Sequence, residues 1–337
     1  MKYLNSFILF SFLILATLSC NHSMTNLHPY LETMPVYSKG DAADDVAIFT
    51  DLKNEFPLFI IATDKQSGLV VYDMNGNIQR ADTSGHINNV DLRKLSKDKV
   101  LIGCSNRTIN AMQFFNFKYT EPFLIPIPTD LPKTSIEEVY GFCLYQNDLN
   151  IYAYVVGKEG LLEGYELNWE DDSLKAIKIY NHSFSTQCEG LVADDANGKL
   201  YIAEEDLGVW MLDLNHLEAK PELIISLKNN AFLKKDLEGV ALYEWNNEVY
   251  LLVSSQGNNS FAVFNTNKNF EYIGSFNIGK NKNIDRTSET DGLDISNGVH
   301  GILVVQDGKN TKNGVYKQNQ NFKLVKNIDL IKFLKNE

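Results

Sequence analysis

Cysteine is too scarce and too scattered to staple this chain. Of its four cysteines, Cys20 ends an apolar leader. Cys104, Cys143 and Cys188 remain, an odd set without close spacing, so no disulfide framework is implied. They fall in or beside strand-like runs and read as small buried residues. Positive charge is also short, with 31 Lys and Arg against 43 Asp and Glu, a net charge of −12. Nucleic-acid binders need a basic face, so that class of partner is excluded. The six histidines show neither HxxH nor HxH spacing, which disfavours zinc. After the leader no apolar run is long enough to span a bilayer. No Pro- or Ser-rich linker divides the chain, and helix-like periodicity is confined to the leader and the C-terminal IDLIKFLKNE.

What the chain does contain is repetition. A polar residue, a small or β-branched residue and then alternating apolar positions return six times, at intervals of roughly 44 to 53 residues. The lead residues are Asp45, Asn89, Tyr140, Glu189, Glu238 and Asp291. A period of this size marks a propeller or another repeat array. In a propeller, equivalent positions of successive blades lie on one ring around the axis. Four of the six lead residues are carboxylates, and carboxylates held that close stay ionised only with a cation among them. The repeat therefore predicts a metal site.

A second phrase follows each first one by roughly 16 to 20 residues: an apolar strand, a polar loop, and a second strand ending in an aromatic. Its alternation and Gly or Asn turns are the hairpin signature. The loops carry Lys65, Arg107, Lys158, Glu204, Glu205, Asp206, Gln256 and Asp307, which superposed blades would gather at one end. Tyr72, Tyr165, Trp210 and Phe264 read as packing residues between blades. The expected class is all-β, a six-bladed β-propeller over residues 41–337. Residues 1–20 read as a lipoprotein-type signal peptide: Lys2, the apolar FILFSFLILATL, then Leu18-Ser19-Cys20, with Cys20 as the lipidated residue. A single lipid anchors without spanning. Residues 21–40 are then expected to form a tether. The expected location is outside the cytoplasm, as a bacterial membrane-anchored lipoprotein at the periplasm or cell surface, otherwise secreted. Membrane contact is expected only through that lipid, and the chain is expected to be a monomer.

DAADD (Asp41 to Asp45), TDKQSGLVVY, NNVDLR, VYGFCLY, GKEG followed by YEL, CEGLVADD with YIAEED, DLEG, SSQGNNS, TSETDGLDI, VVQDGKN and NQNF stand in this order and spacing. In this the chain resembles the β-propeller phytases, from Asp41 to about Val325. The resemblance implies a calcium-dependent 3-phytase. It would hydrolyse phosphomonoesters of myo-inositol hexakisphosphate, presented as calcium-phytate, to lower inositol phosphates and orthophosphate, with several calcium ions bound. It implies catalytic-cluster ligands at Asp44, Glu189, Glu205, Asp236 and Glu238. Ligands of more structural calcium ions are implied at Asp45, the carbonyl of Val90, Asp291 and Asp307. Substrate phosphates would be held by Lys65, Arg107, Tyr140 and Lys158. The sequence departs from the family pattern at Val46, Gln66, Cys188 and Arg286, and Gln66 removes one positive charge near the phosphates.

The residue types suit that chemistry. Calcium takes six to eight oxygens from carboxylates, carbonyls and water. Phosphomonoester hydrolysis needs neutralised phosphate oxygens and an activated water more than a protein nucleophile. A bound cation also reconciles an acidic protein with a polyanionic substrate. Two alternatives stand beside this reading. A lactonase- or phosphotriesterase-like calcium propeller would not need Lys65, Arg107 and Lys158. A non-catalytic surface binding module would use calcium only structurally.

Overall fold

The structure is a computed structural model that describes residues 24–51, 56–96, 99–121, 123–148, 150–312, 315–316 and 318–336. The leader over residues 1–20, with Cys20 at its end, lies outside the described residues.

Alternating apolar residues form strands that pack on both faces. In the first blade Ile60, Ala62, Val70 and Tyr72 point one way, against Ile302, Val304, Phe322 and Leu324 of the last blade. Phe49, Ile61 and Val71 point the other way, against Ile102, Cys104 and Phe115 of the second. Period two therefore loads both faces of each sheet, and full burial of each such side chain stabilises by about 1.5–3 kcal/mol. Cys143 and Cys188 are packed into one core with residues of blades 3 and 4. Among the described residues the result is six sheets of four or five strands each, plus a two-stranded ribbon of Thr311–Lys312 with Val315–Tyr316, the expected all-β, six-bladed propeller. The innermost strands are Ala43–Thr50, Ile87–Ser96, Val139–Gln146, Cys188–Asp194, Leu237–Trp245 and Leu293–Ile295. Each lies against the next and the sixth against the first, closing the ring.

The tether expected over residues 21–40 is corrected for its described part, from residue 24 onward. Thr25–Leu27 runs parallel to Glu271–Ile278 as an added strand of blade 5. Leu31–Glu32 pairs antiparallel with Asn321–Lys326 as the outermost strand of blade 6. Leu27 and Val36 are buried. The physical reason is an open edge: the C-terminal part supplies blade 6 with Leu293–Ile295, Ile302–Asp307 and Asn321–Lys326, and a bare third strand would expose its backbone. The N-terminal strand covers it. The helix foreshadowed at the C-terminus forms over Asn327–Lys335 and buries Leu330 and Ile331.

Five of the inner strands carry a β-bulge near their start, between Ala43 and Val46, Ile87 and Val90, Val139 and Phe142, Cys188 and Leu191, and Leu237 and Val240. A bulge re-aims side chains out of the ladder. Main-chain bonds link these points around the ring, with Gly239 N–H donating to the Asp291 carbonyl (2.8 Å) and Gly292 N–H to that of Asp44 (3.0 Å). Asp44 is therefore the counterpart of Asp291, and Asp45 stands in the register of Gly292. By the same bulge Asn88, rather than Asn89, is the ring residue of blade 2. In the first two blades the ring position lies one residue earlier than the sequence pattern indicated.

The residue after each second strand obeys one rule. Lys65, Arg107, Lys158, Glu205, Gln256 and Gly308 each donate their N–H to the carbonyl of a residue just ahead of their own blade's first strand, respectively Ala42, His86, Glu138, Gln187, Asp236 and Ser288. These six positions are equivalent and lie at one end of the propeller. Glu204 and Asp307 sit one step earlier and serve as anchors. Glu204 accepts hydrogen bonds from the N–H and hydroxyl of both Ser185 and Thr186, and from Trp210 Nε1.

Candidate active site

The bulges turn Asp44, Asn88, Glu189 and Glu238 toward the axis at the end where Lys65, Arg107, Lys158 and Glu205 emerge. One carboxylate oxygen from each of Glu189, Glu205 and Glu238 lies within 4.8 Å of the others. Asn88 joins this group to Asp44: its Nδ2 donates to Asp44 Oδ2 (2.9 Å) and to Glu189 Oε1 (3.0 Å). Glu205 Oε1, Glu238 Oε2 and Asn88 Oδ1 are buried yet accept no hydrogen bond. Orphaned acceptors of this kind are costly unless a partner completes them. A hard cation satisfied by oxygen ligands fits that donor set. Among the described residues this is an acidic cluster that could hold a metal ion.

Burial sets the electrostatics. It pushes Glu238 up to about 8 despite a hydrogen bond with Glu189, and the charges of Glu205, Asp44 and Asp236 add to the rise. Glu189 is raised well above the ordinary range by burial and then by Asp44 and Glu238. Burial also raises Glu205, against a hydrogen bond from Gln187. Asp291 is raised by burial and by Asp44, with Lys65 opposing. Its Oδ1 accepts from Gln256 Nε2 at 2.6 Å, and its N–H donates to Gln306 Oε1 at 3.0 Å. Asp236 is exposed at the margin, close enough to raise Glu205 and Glu238.

The basic groups divide in two. Lys65 is nearly buried on the floor of a cavity of about 540 Å³. Its Nζ contacts Asp44 Oδ1 (2.8 Å), Asp41 Oδ1 (2.9 Å) and Asp291 Oδ2 (3.5 Å). Burial would lower its pKa, but Asp44 and Asp291 outweigh that and raise it. Arg107 and Lys158 lie higher and flank Tyr140, with the Lys158 ammonium 4.8 Å and the Arg107 guanidinium 6.0 Å from the ring centre, a cation–π arrangement. Glu138 Oε1 bridges them, 3.1 Å from Lys158 Nζ and 3.4 Å from Arg107 NH1. Gln66, where a second lysine was expected, donates instead to the carbonyls of Lys39 and Asp41 and pins that loop.

Three implied ligands, Asp45, Val90 and Asp307, fall elsewhere, the first two on the wall of the central channel. Asp45 lines the central channel, a separate cavity of about 450 Å³. Its Oδ2 accepts the N–H of Val90 at 3.0 Å, so it stitches blade 1 to blade 2. Similar stitches recur lower down, where Asp91 accepts from Leu144 and Asp294 from Ile48. Asp307 is wholly buried and bonded to Lys323 Nζ at 2.7 Å, away from the cluster. Asn88, Gln306 and Glu138 were missed from sequence. The signal for Asn88 was the Asn-Asn pair standing where blade 1 has Asp-Asp.

The fold and site define a six-bladed propeller with an acidic pocket that could hold a metal ion beside a Lys and Arg pair. The chain belongs to the phytase family, whose model, described as "Phytase", matches residues 4–336. It is 38% identical over 314 residues to the 3-phytase of Bacillus subtilis (strain 168), covering 88% of this chain and 82% of that protein. Among solved structures, the β-propeller domain of Myceliophteria thermophila Cps50 (Swd1) matches 84% of this chain and 83% of that one at 10% identity, with a TM-score of 0.48.

Proposed function

We propose that this protein is a calcium-dependent phytase that releases orthophosphate from myo-inositol hexakisphosphate. The observation that carries the reading is the convergence of Glu189, Glu205 and Glu238 within 4.8 Å, with orphaned oxygens on two of them. Membership of the phytase family supports the substrate. Glu189, Glu205 and Glu238, with Asp44 and Asp236 beside them, would hold the catalytic ions, and Asp45 and Asp291 would serve ions of more structural role. Calcium bound there supplies positive charge to phosphate oxygens and lowers the pKa of water.

The chain's own groups do the rest. Lys158 and Arg107 exchange Glu138 for phosphate oxygens, the guanidinium offering a planar fork that matches them. Tyr140 holds both cations at one spacing through its ring face. Lys65 keeps Asp44 and Asp291 apart from each other's charge at the floor. Asn88 fixes Asp44 and Glu189 in one geometry, so that charge is placed before substrate arrives. The export leader and a lipid on Cys20 belong to the same proposal and rest on the sequence pattern.

Phosphate release from calcium-phytate, hydroxy-acid formation from a lactone and alcohol release from a phosphotriester, each followed in soluble and membrane fractions, test both points. The expected result is activity on phytate alone, in the membrane fraction for the native chain and in the soluble fraction for Cys20→Ala. Turnover of the lactone or triester instead would reject the substrate. Identical partitioning of both chains would reject the anchor.

A further inference from the structure

The cation site implied at Asp307 is filled by the chain itself. Lys323 lies in the third strand of blade 6 with a side chain that is 0% exposed. Its Nζ contacts Asp285 Oδ1 (2.6 Å), Asp307 Oδ2 (2.7 Å), Glu32 Oε2 (3.3 Å) and Asn321 Oδ1 (3.3 Å). These partners come from four segments: the N-terminal strand, the loop ahead of blade 6, and the blade's second and third strands. An oxygen cage drawn from remote segments is what a structural calcium would occupy, since that ion takes oxygens at about 2.3–2.6 Å.

Two observations exclude such an ion while Lys323 is charged. The remaining oxygens of the nearest carboxylates are spoken for: Asp285 Oδ2 accepts from Thr311 N–H and Oγ1–H, and Asp307 Oδ1 from Ser288 and Lys309 N–H. A cation reaching Asp285 Oδ1 and Asp307 Oδ2 together would have to stand on Nζ, against its charge. The register explains why Asp307 is not the counterpart of Lys65, Arg107, Lys158 and Glu205, because Gly308 holds that place.

We infer that the Lys323 ammonium is the resident cation of blade 6, tying the N-terminal strand to the rest of the blade without a metal, and that its cage becomes a divalent-cation site only when that charge is removed. The inference does not depend on the substrate or on activity.

Calcium bound per chain, by equilibrium dialysis, and thermal midpoints in chelator and in calcium test it on the full-length protein. Asp307→Asn keeps Lys323 and should bind as many calcium ions as wild type. Its midpoint should fall equally in chelator and in calcium. Lys323→Met should bind one more calcium ion than wild type and recover in calcium a midpoint lost in chelator. Loss of one calcium ion in Asp307→Asn would overturn the inference, as would a Lys323→Met protein with the wild-type count and no added response to calcium. If Lys323→Met does not fold, the count in Asp307→Asn decides.

Discussion

Glu238 is under two opposed demands, since it is buried among acids and yet has an oxygen with no partner. Its raised pKa has a definite sign for stability. Between an ordinary glutamate pKa and about 8, the folded state keeps a proton that the unfolded chain has released, so stability falls as pH rises. Without calcium, the midpoint of thermal unfolding should therefore drop from about pH 5 to about pH 8, and Glu238→Gln should flatten that slope. The same variant, and Glu205→Gln, should lose on the order of 100-fold in phosphate release while staying folded. Calorimetry across pH with parallel assays checks this, and an unchanged slope in Glu238→Gln would remove it from the coupled cluster. The ring acids were legible because their spacing repeats. Asn88, Gln306 and Glu138 were not, because they act only by hydrogen bonds and ion pairs that folding creates. The one-residue slip at Asp45 and Asn89 has a similar origin: without a glycine to mark the second bulged residue, the sequence does not say which of two polar neighbours turns inward.

Strand alternation made the blades legible, since each face must bury its own set of side chains. The blade-closing strands were not. Thr25–Leu27 and Leu31–Glu32 are three and two residues long, too short to show a period, and their partners lie near the other end of the chain. Bulges were equally hidden, although glycine marked three of them. In blade 4 a Cβ at Gly190 would lie 2.1 Å from the Glu238 carbonyl oxygen, closer than any side chain tolerates. Gly190→Ala should therefore push blade 4 from blade 5, costing about 1–3 kcal/mol. It should also displace Glu189 and Glu238 together, so activity falls with stability. Urea midpoints read the first effect. Wild-type stability with an alanine there would mean that the close approach is not required.

At the scale of the molecule, closure and chemistry are one arrangement. Asp44, Glu189, Glu238 and Asp291 come from blades 1, 4, 5 and 6, and they meet because the inner strand of the last blade lies against that of the first. Ions held by such ligands bind the folded state alone, so they stabilise it by mass action. The most direct measurement follows phosphate release from phytate and the thermal midpoint in the same samples, first in chelator and then with calcium restored. The account predicts that chelation abolishes release and lowers the midpoint, and that calcium returns both. Undiminished release in chelator, or none from folded protein after calcium is restored, would contradict it.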